Sequence, residues 1–566
     1  MRKFSHSKNC IEKKRLPPVK TGAVLSSFLI LALSLGLTGC QRSRRNETTF
    51  LSTVAPISGN ESVTVPTSHG DSSKRDYDTY IILNDKNTTI NGDGASFSDS
   101  VLTISKGGSY YIKGSLSEGQ IKIDSDDNKE IVRLHLDGVY IHCSSGSPLL
   151  VEASKNRTVL IPAEKSENEL FSSDGSSKFP AIFSEDDLTI SGDGILTVRS
   201  ASSKGIFSKK TILIKGSVLN VKSTDDAICA KDGISVSGGM IAADCKRVGL
   251  HADSGDGISI SGGSFKVNSG LSCLFSEESI EISGGSFDLT SAGGWTQTTT
   301  TPSGSELSPN DFPKIEASSG SENDKDERDF DSARSTKAVK AENSISISGG
   351  SFSVSSLDDA FFCEDSFSVS GGSLNVKTNG EAFHSDSLVL VNGGELAAEK
   401  CREGLKGKTV LINGGEIYIS AEDNAISTKN GAFQSGGVVN VFSSQSAQNA
   451  SEKTSGSYSF TAGTLFAAGN NGETPNVNAK RGASLEISSA FSANTLFTVT
   501  DTNDTPLFSV TLPKSCNDIR VASQKLISGR TYRIYTGGSN SGIQKNGIYS
   551  NSSFSPGLLV KTVVAR

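Results

Sequence analysis

The sequence predicts a parallel β-helix, an all-β solenoid whose coils repeat about every 22 residues. Three observations predict it. Glycines recur in register at Gly192, Gly216, Gly238, Gly262, Gly284, Gly349, Gly371, Gly393, Gly414 and Gly436, in steps of 24, 22, 24, 22, 65, 22, 22, 21 and 22. Each unit holds two short runs of alternating apolar and polar residues, the period of a strand; Ile258–Val267, Ile280–Leu289 and Ile345–Val354 are nearly the same sequence. Between the two runs stands a Gly-Gly or Asn-Gly-Gly corner, where glycine admits backbone angles closed to other residues.

A third element follows about eleven residues after the first glycine. It reads Asp225-Asp-Ala-Ile-Cys229, Val248-Gly-Leu-His251, Asp358-Asp-Ala-Phe-Phe362, Glu381-Ala-Phe-His384, Glu403-Gly-Leu-Lys406 and Asp423-Asn-Ala-Ile-Ser427. A small residue followed by an apolar one suits a tight turn and a third short strand. Three strands and three corners complete a coil, which buries its apolar face only against its neighbours. Other repeat folds of similar length are excluded. The spaced leucines of leucine-rich repeats, the GGxGxD series of calcium β-rolls and the 3.6-residue period of helical solenoids are all missing.

The remaining chain organises around this body. Residues 1–39 read as a lipoprotein signal peptide: seven Lys/Arg, an apolar run from Ala23 to Leu37, then Leu37-Thr-Gly-Cys40. Cys40 is the expected lipidation site, making the protein extracytoplasmic and lipid-anchored to the bacterial membrane or cell surface. Residues 40–77 read as a flexible tether. The β-helix is assigned to 78–455, with irregular first coils over 78–165, and a β-rich C-terminal region covering the open edge to 456–566. The step of 65 equals one coil plus a polar insert at about 293–335, read as an exposed, disordered loop. Trp295, the single tryptophan, stands at the root of that insert, as a hydrophobic peg or a sugar-stacking platform.

Composition narrows the function. The chain carries 55 basic and 62 acidic side chains, and without residues 1–39 the count is 48 against 61, a net of −13. An acidic body argues against nucleic-acid partners and is compatible with divalent cations. Seven cysteines lie beyond Cys40, none in a CxxC pair, and read as small buried core residues. Nucleophile-elbow, HExxH and P-loop motifs are absent, so no catalytic residue is assigned. Lys406 and Arg402 are the sole candidates for a proton-abstracting base, and both also read as solvated corner charges.

Stacking turns sequence repeats into columns about 4.8 Å apart. One column reads Asp358-Asp359, Glu381, Glu403, Asp423; a second reads Glu364-Asp365, Asp386, Lys408; an earlier coil holds Asp225-Asp226 beside Asp253. Carboxylates this close repel, and calcium, which takes six to eight oxygens at about 2.3–2.6 Å, removes the repulsion. Asp225, Asp226, Asp253, Asp358, Asp359, Asp365, Glu381, Asp386, Glu403 and Asp423 are therefore the candidate calcium ligands. The competing reading is that such acids cap turns through their own backbone.

The ISISGGSF-type strands, the DDAI-type corners, the polar insert, Ala462–Gly469 and Tyr532–Gly538 together resemble a family of secreted bacterial carbohydrate-binding domain-containing proteins, from about Tyr80 to the C-terminus. The resemblance implies a right-handed parallel β-helix with bound calcium, an architecture related to calcium-dependent pectate lyases, and binding of cellulose or pectin-type polysaccharides. Asp225-Asp226 and Asp358-Asp359 match the family's paired acids. Ser203-Lys204, Arg247-Val248, Leu271-Ser272 and Thr336-Lys337 depart from them, so fewer ions are expected here. The leading expectation is a monomeric, non-catalytic, calcium-stabilised protein that binds an acidic or cellulosic polysaccharide. The rivals are a calcium-dependent polysaccharide lyase and a structural surface protein or adhesin.

Overall fold

The computed structural model describes residues 77–566 apart from 126–130, 155, 177–178, 297–335, 445, 450–457, 471–476, 546 and 551–552. The signal segment, Cys40, the tether up to residue 76 and the insert from residue 297 onward lie outside the described residues.

The described residues form strands and no helix. They wind into a β-solenoid of about 14 turns whose parallel partners stand about 23 residues apart. Each regular coil contributes to three ladders. Ile258–Ile260 pairs with Ile280–Ile282, which pairs with Ile345–Ile347. Ser264–Ser269 pairs with Ser286–Ser291, and that with Ser351–Ser356. The third element forms its own 15-stranded sheet, in which Leu250–Ala252, Leu274–Ser276 and Val339–Ala341 are successive. The last pairing joins Leu274 directly to Val339. The coils on either side of residues 297–335 are thus adjacent in the stack, as the step of 65 predicts.

Alternation decides which side chains enter the core. Phe265 and Val267 are buried while Ser264, Lys266 and Asn268, which alternate with them, face outward. The identical phenylalanines of the ISISGGSF repeats superpose: Phe265 and Phe287 stack at 4.7 Å and 8°, and Phe287 and Phe352 at 4.3 Å and 4°. All seven cysteines beyond Cys40 are buried free thiols, which agrees with their reading as core residues.

The Gly-Gly corner has two separate causes. A Cβ on Gly349 would sit 2.3 Å from the carbonyl oxygen of Ser283 in the preceding coil, so the first glycine permits the coils to stack. The second, Gly350, has φ of +97°, a region that L side chains avoid.

Antiparallel strands close both ends. At the start, Thr79–Leu83 folds against Thr89–Gly92, and Ala95–Ser98 against Val101–Ile104. Parallel pairing runs past residue 455, through Thr464–Gly469 and Val477–Ala479. Cys516–Ser523 then pairs antiparallel with both Thr464–Gly469 and Ala483–Phe491. A six-stranded sheet follows, in which Leu496–Thr500 lies antiparallel to Pro506–Thr511 and Thr531–Asn540. These strands occupy the edge that would otherwise template association with another chain.

Candidate functional site

The corner preceding the 15-stranded sheet holds most of the predicted site residues. It does not hold bare carboxylates. Asp226, only 1% exposed, is surrounded by donors. Its Oδ1 accepts the Val248 N–H at 3.1 Å, and its Oδ2 accepts from His251 Nδ1 at 3.0 Å. Lys204 Nζ lies 3.1 Å from Asp225 and 3.4 Å from Asp226. Arg247 Nε lies 3.1 Å from Asp225 and 3.6 Å from Asp226. Burial by itself would raise the Asp226 carboxyl; the Lys204 ammonium and the His251 ring outweigh it and hold the group well below the usual carboxylate range.

The same constellation recurs 133 residues later: Lys204, Asp225, Asp226, His251 and Asp253 become Lys337, Asp358, Asp359, His384 and Asp386. Lys337 Nζ lies 2.7 Å from Asp358 and 3.5 Å from Asp359, while His384 Nδ1 lies 2.9 Å from Asp359. One difference changes the chemistry. Glu381 and Gly380 stand where the first copy has Val248 and Arg247. Burial and the added Glu381 carboxyl push Asp359 up to about 7. Glu381 itself is buried, which would raise it, but Asp359, Lys406 and Arg402 hold it low. Lys406 Nζ lies 2.7 Å from Glu381 and 3.1 Å from Glu403, and Arg402 also pairs with Glu381. Glu403 further accepts from Asn424 at 2.9 Å. Burial and the neighbouring Glu403 raise Asp423.

Calcium needs six to eight free oxygens, whereas the oxygens of Asp226, Asp359 and Glu381 already face ammonium, guanidinium, imidazole and backbone N–H groups. The cations come from the positions that depart from the paired-acid pattern, Lys204, Arg247 and Lys337. Together with Arg402 and Lys406 beside Glu381, they intersperse cations among the acids of this column. His251 and His384 share a column several coils apart, as the repeat predicts, and each bridges the acids of its own copy.

A second column runs along the far end of the short strands. Register places Asp253, Glu277, Glu342, Glu364 and Asp386 in five successive coils. Lys340 pairs with Glu342 at 2.7 Å. Hydrogen bonding to Glu342 raises the Glu364 carboxyl. Asp365 lies beside Glu364 on the exposed side. Glu342, Glu364 and Asp386 follow one another down this column and offer oxygen donors only, while Asp386 also lies 3.4 Å from His384 Nε2.

A third feature lies on the outer face of the ladder that contains Ser351–Ser356. Trp295, Lys377, Glu399, Lys400 and Tyr418 line a shallow cleft of about 380 Å³. The backbone N–H of Trp295 donates to Ser355 Oγ at 2.9 Å, and Lys377 pairs with Glu399 at 2.9 Å. The strand Glu395–Cys401 bulges between Ala398 and Cys401, which turns both Glu399 and Lys400 outward. Tyr418 also borders a cavity of about 550 Å³ between the last coils and the six-stranded sheet, where Phe508 and Tyr549 add aromatic walls. Tyr418 shows no sequence signal of this role beyond being an aromatic at an outward strand position.

The fold and these surfaces define a β-solenoid with a polar outer face and an aromatic cleft. A family model described as carbohydrate-binding domain-containing protein matches residues 98–382 and 365–503. The chain belongs to that family. A carbohydrate-binding domain-containing protein of Acetivibrio thermocellus is 33% identical over 148 residues, which are 25% of this chain and 51% of the relative. The match thus spans about half of that relative's length. A solved polysaccharide lyase-like protein from C. thermocellum, in a gadolinium derivative, is 25% identical with a TM-score of 0.33, covering 36% of this chain and 88% of its own.

Proposed function

We propose that this protein is a surface-anchored, non-catalytic binder of a polysaccharide, which lies across the outer face of the solenoid and stacks on Trp295 and Tyr418. The observation that carries the reading is the cleft joining these two rings to Lys377, Glu399 and Lys400. Half-buried rings offer flat apolar faces to sugar rings, and the neighbouring ions and amides suit hydroxyl groups. The successive outward positions Ser353, Asn375, Ala397 and Tyr418 extend that face from coil to coil, which suits a polymer. The non-catalytic part is supported by Lys406 and Arg402. Burial would favour loss of their protons, but Glu381 and Glu403 outweigh it and raise both groups, opposite to what a base requires.

Calcium is part of this reading through the oxygen donors of the carboxylate columns. Pull-down of the purified chain on insoluble cellulose and on polygalacturonate, with and without Ca²⁺, tests the proposal. Retention without unsaturated product is expected. Trp295→Ala should weaken it about tenfold or more, the ~1.4 kcal/mol of one aromatic anchor, while the melting temperature stays unchanged. Appearance of unsaturated product would replace the reading with a lyase, and no retention on any glycan would leave a structural role. Anchoring stands on Leu37–Cys40; Cys40→Ala should release the chain from the membrane fraction, and unchanged sedimentation would refute it.

A further inference from the structure

Besides Val248/Glu381 and Arg247/Gly380, the two copies of the corner constellation differ in their sulfur donor. Cys229 occupies the register position that Phe362 occupies 133 residues later. In the first copy, a carboxylate oxygen of Asp226, Cys229 Sγ and a ring nitrogen of His251 lie within 4.8 Å of one another. Cys229 is 1% exposed and His251 8%. Asp226 engages Nδ1 of the ring, so Nε2 is the nitrogen left for other work. That atom is buried and makes no hydrogen bond, although Asp253 Oδ1 is 3.1 Å away. Asp253 Oδ1 is also 3.9 Å from Cys229 Sγ.

We propose that Cys229, His251 and Asp253 form a binding site for a zinc-like divalent transition metal, with Asp226 orienting the imidazole. Asp253 Oδ1 lies 3.1 Å from His251 Nε2 and 3.9 Å from Cys229 Sγ, and Sγ stands within 4.8 Å of a ring nitrogen. Bonds of about 2.0–2.3 Å to nitrogen, oxygen and sulfur in a tetrahedron place the donors roughly 3–4 Å apart. A ligating histidine characteristically gives its other N–H to a carboxylate, which is the contact Asp226 makes. Charge also balances. Lys204 and Arg247 offset Asp225 and Asp226, leaving the Cys229 thiolate and the Asp253 carboxylate to offset a divalent ion. Binding displaces the thiol proton of Cys229 and any proton on Nε2 to solvent. Asp253, with 29% of its side chain exposed, opens the site to the surface. Thiolate and imidazole favour zinc, copper or cobalt over calcium. The second copy, with Phe362 in place of the thiol, is an internal control for the sulfur ligand alone.

Titrating the full chain with Co²⁺ tests the site. One ion per chain should bind, with a sulfur-to-cobalt charge-transfer band and visible d–d bands that Zn²⁺ abolishes. Cys229→Ser should remove the charge-transfer band, and His384→Ala should leave it unchanged. Asp253→Asn, at a partly exposed position, should keep the fold and weaken Co²⁺ binding at least tenfold. Absence of any charge-transfer band in the wild-type chain overturns the proposal. So does a band that survives Cys229→Ser, or unchanged affinity in a folded Asp253→Asn variant.

Discussion

Replacing Asp226 with alanine is expected to destabilise the folded chain by about 3–5 kcal/mol, the usual consequence of removing one partner from a buried ion pair. The carboxylate is 1% exposed and serves Lys204, Arg247, His251 and the Val248 N–H together. Its loss strands three cationic or polar side chains in a poorly solvated corner. Replacing Asp226 and Lys204 together by apolar residues of similar size should recover part of the loss, because no buried charge of that pair then remains. Denaturant unfolding of the three chains measures both effects, and a loss below about 1 kcal/mol for Asp226→Ala would mean that the corner is well hydrated.

The same variant should change the acid limb of stability. Asp226 is held below its unfolded value of about 3.9. A depressed carboxyl contributes stability above the unfolded value, and that contribution is lost as pH falls through the folded value. The wild-type chain should therefore lose stability on acidification below about pH 4 more steeply than Asp226→Ala. Parallel acid limbs would contradict the pairing.

Phe287→Ala should be comparably severe, at about 3–5 kcal/mol. Phe287 is 2% exposed and lies between Phe265 and Phe352, so truncation opens a cavity and breaks two stacked contacts. Phe287→Leu keeps most of the volume and should lose far less. In a solenoid each coil touches only its neighbours, so a defect in a middle coil also weakens the coupling between the two halves. Unfolding of Phe287→Ala is expected to broaden or split into two phases. A single transition with an unchanged midpoint would show that neighbouring coils close the gap.

Most of the architecture is legible in the linear chain because each coil repeats the same physical requirements. Alternation in Ile258–Val267 assigns inward and outward residues, Gly-Gly marks a corner, and a step of 65 reveals an insert. The acids of the corner are legible too, as is the shared column of His251 and His384. Their partners are not. Lys204, Arg247 and Lys337 read as departures from a paired-acid pattern, because the pattern is scored coil by coil whereas the ion pairs form between coils. The 133-residue recurrence is the signal that links them, and it appears only when a lysine, two aspartates, a histidine and a further aspartate are compared as a set.

Sequence alone thus determined the coil, its three strands, its closed core of Ile, Val, Leu and Phe, and the family to which the chain belongs. These follow from short-range periodicity, where every residue's fate depends on neighbours two positions away or one coil along. Tertiary structure decided which charges meet. The carboxylate column is interspersed with cations, since side chains from adjacent coils reach across the 4.8 Å spacing to the same oxygens. It also brought Trp295 at the root of the insert to Tyr418, more than a hundred residues later, and so made a cleft from two aromatics that the linear chain keeps apart.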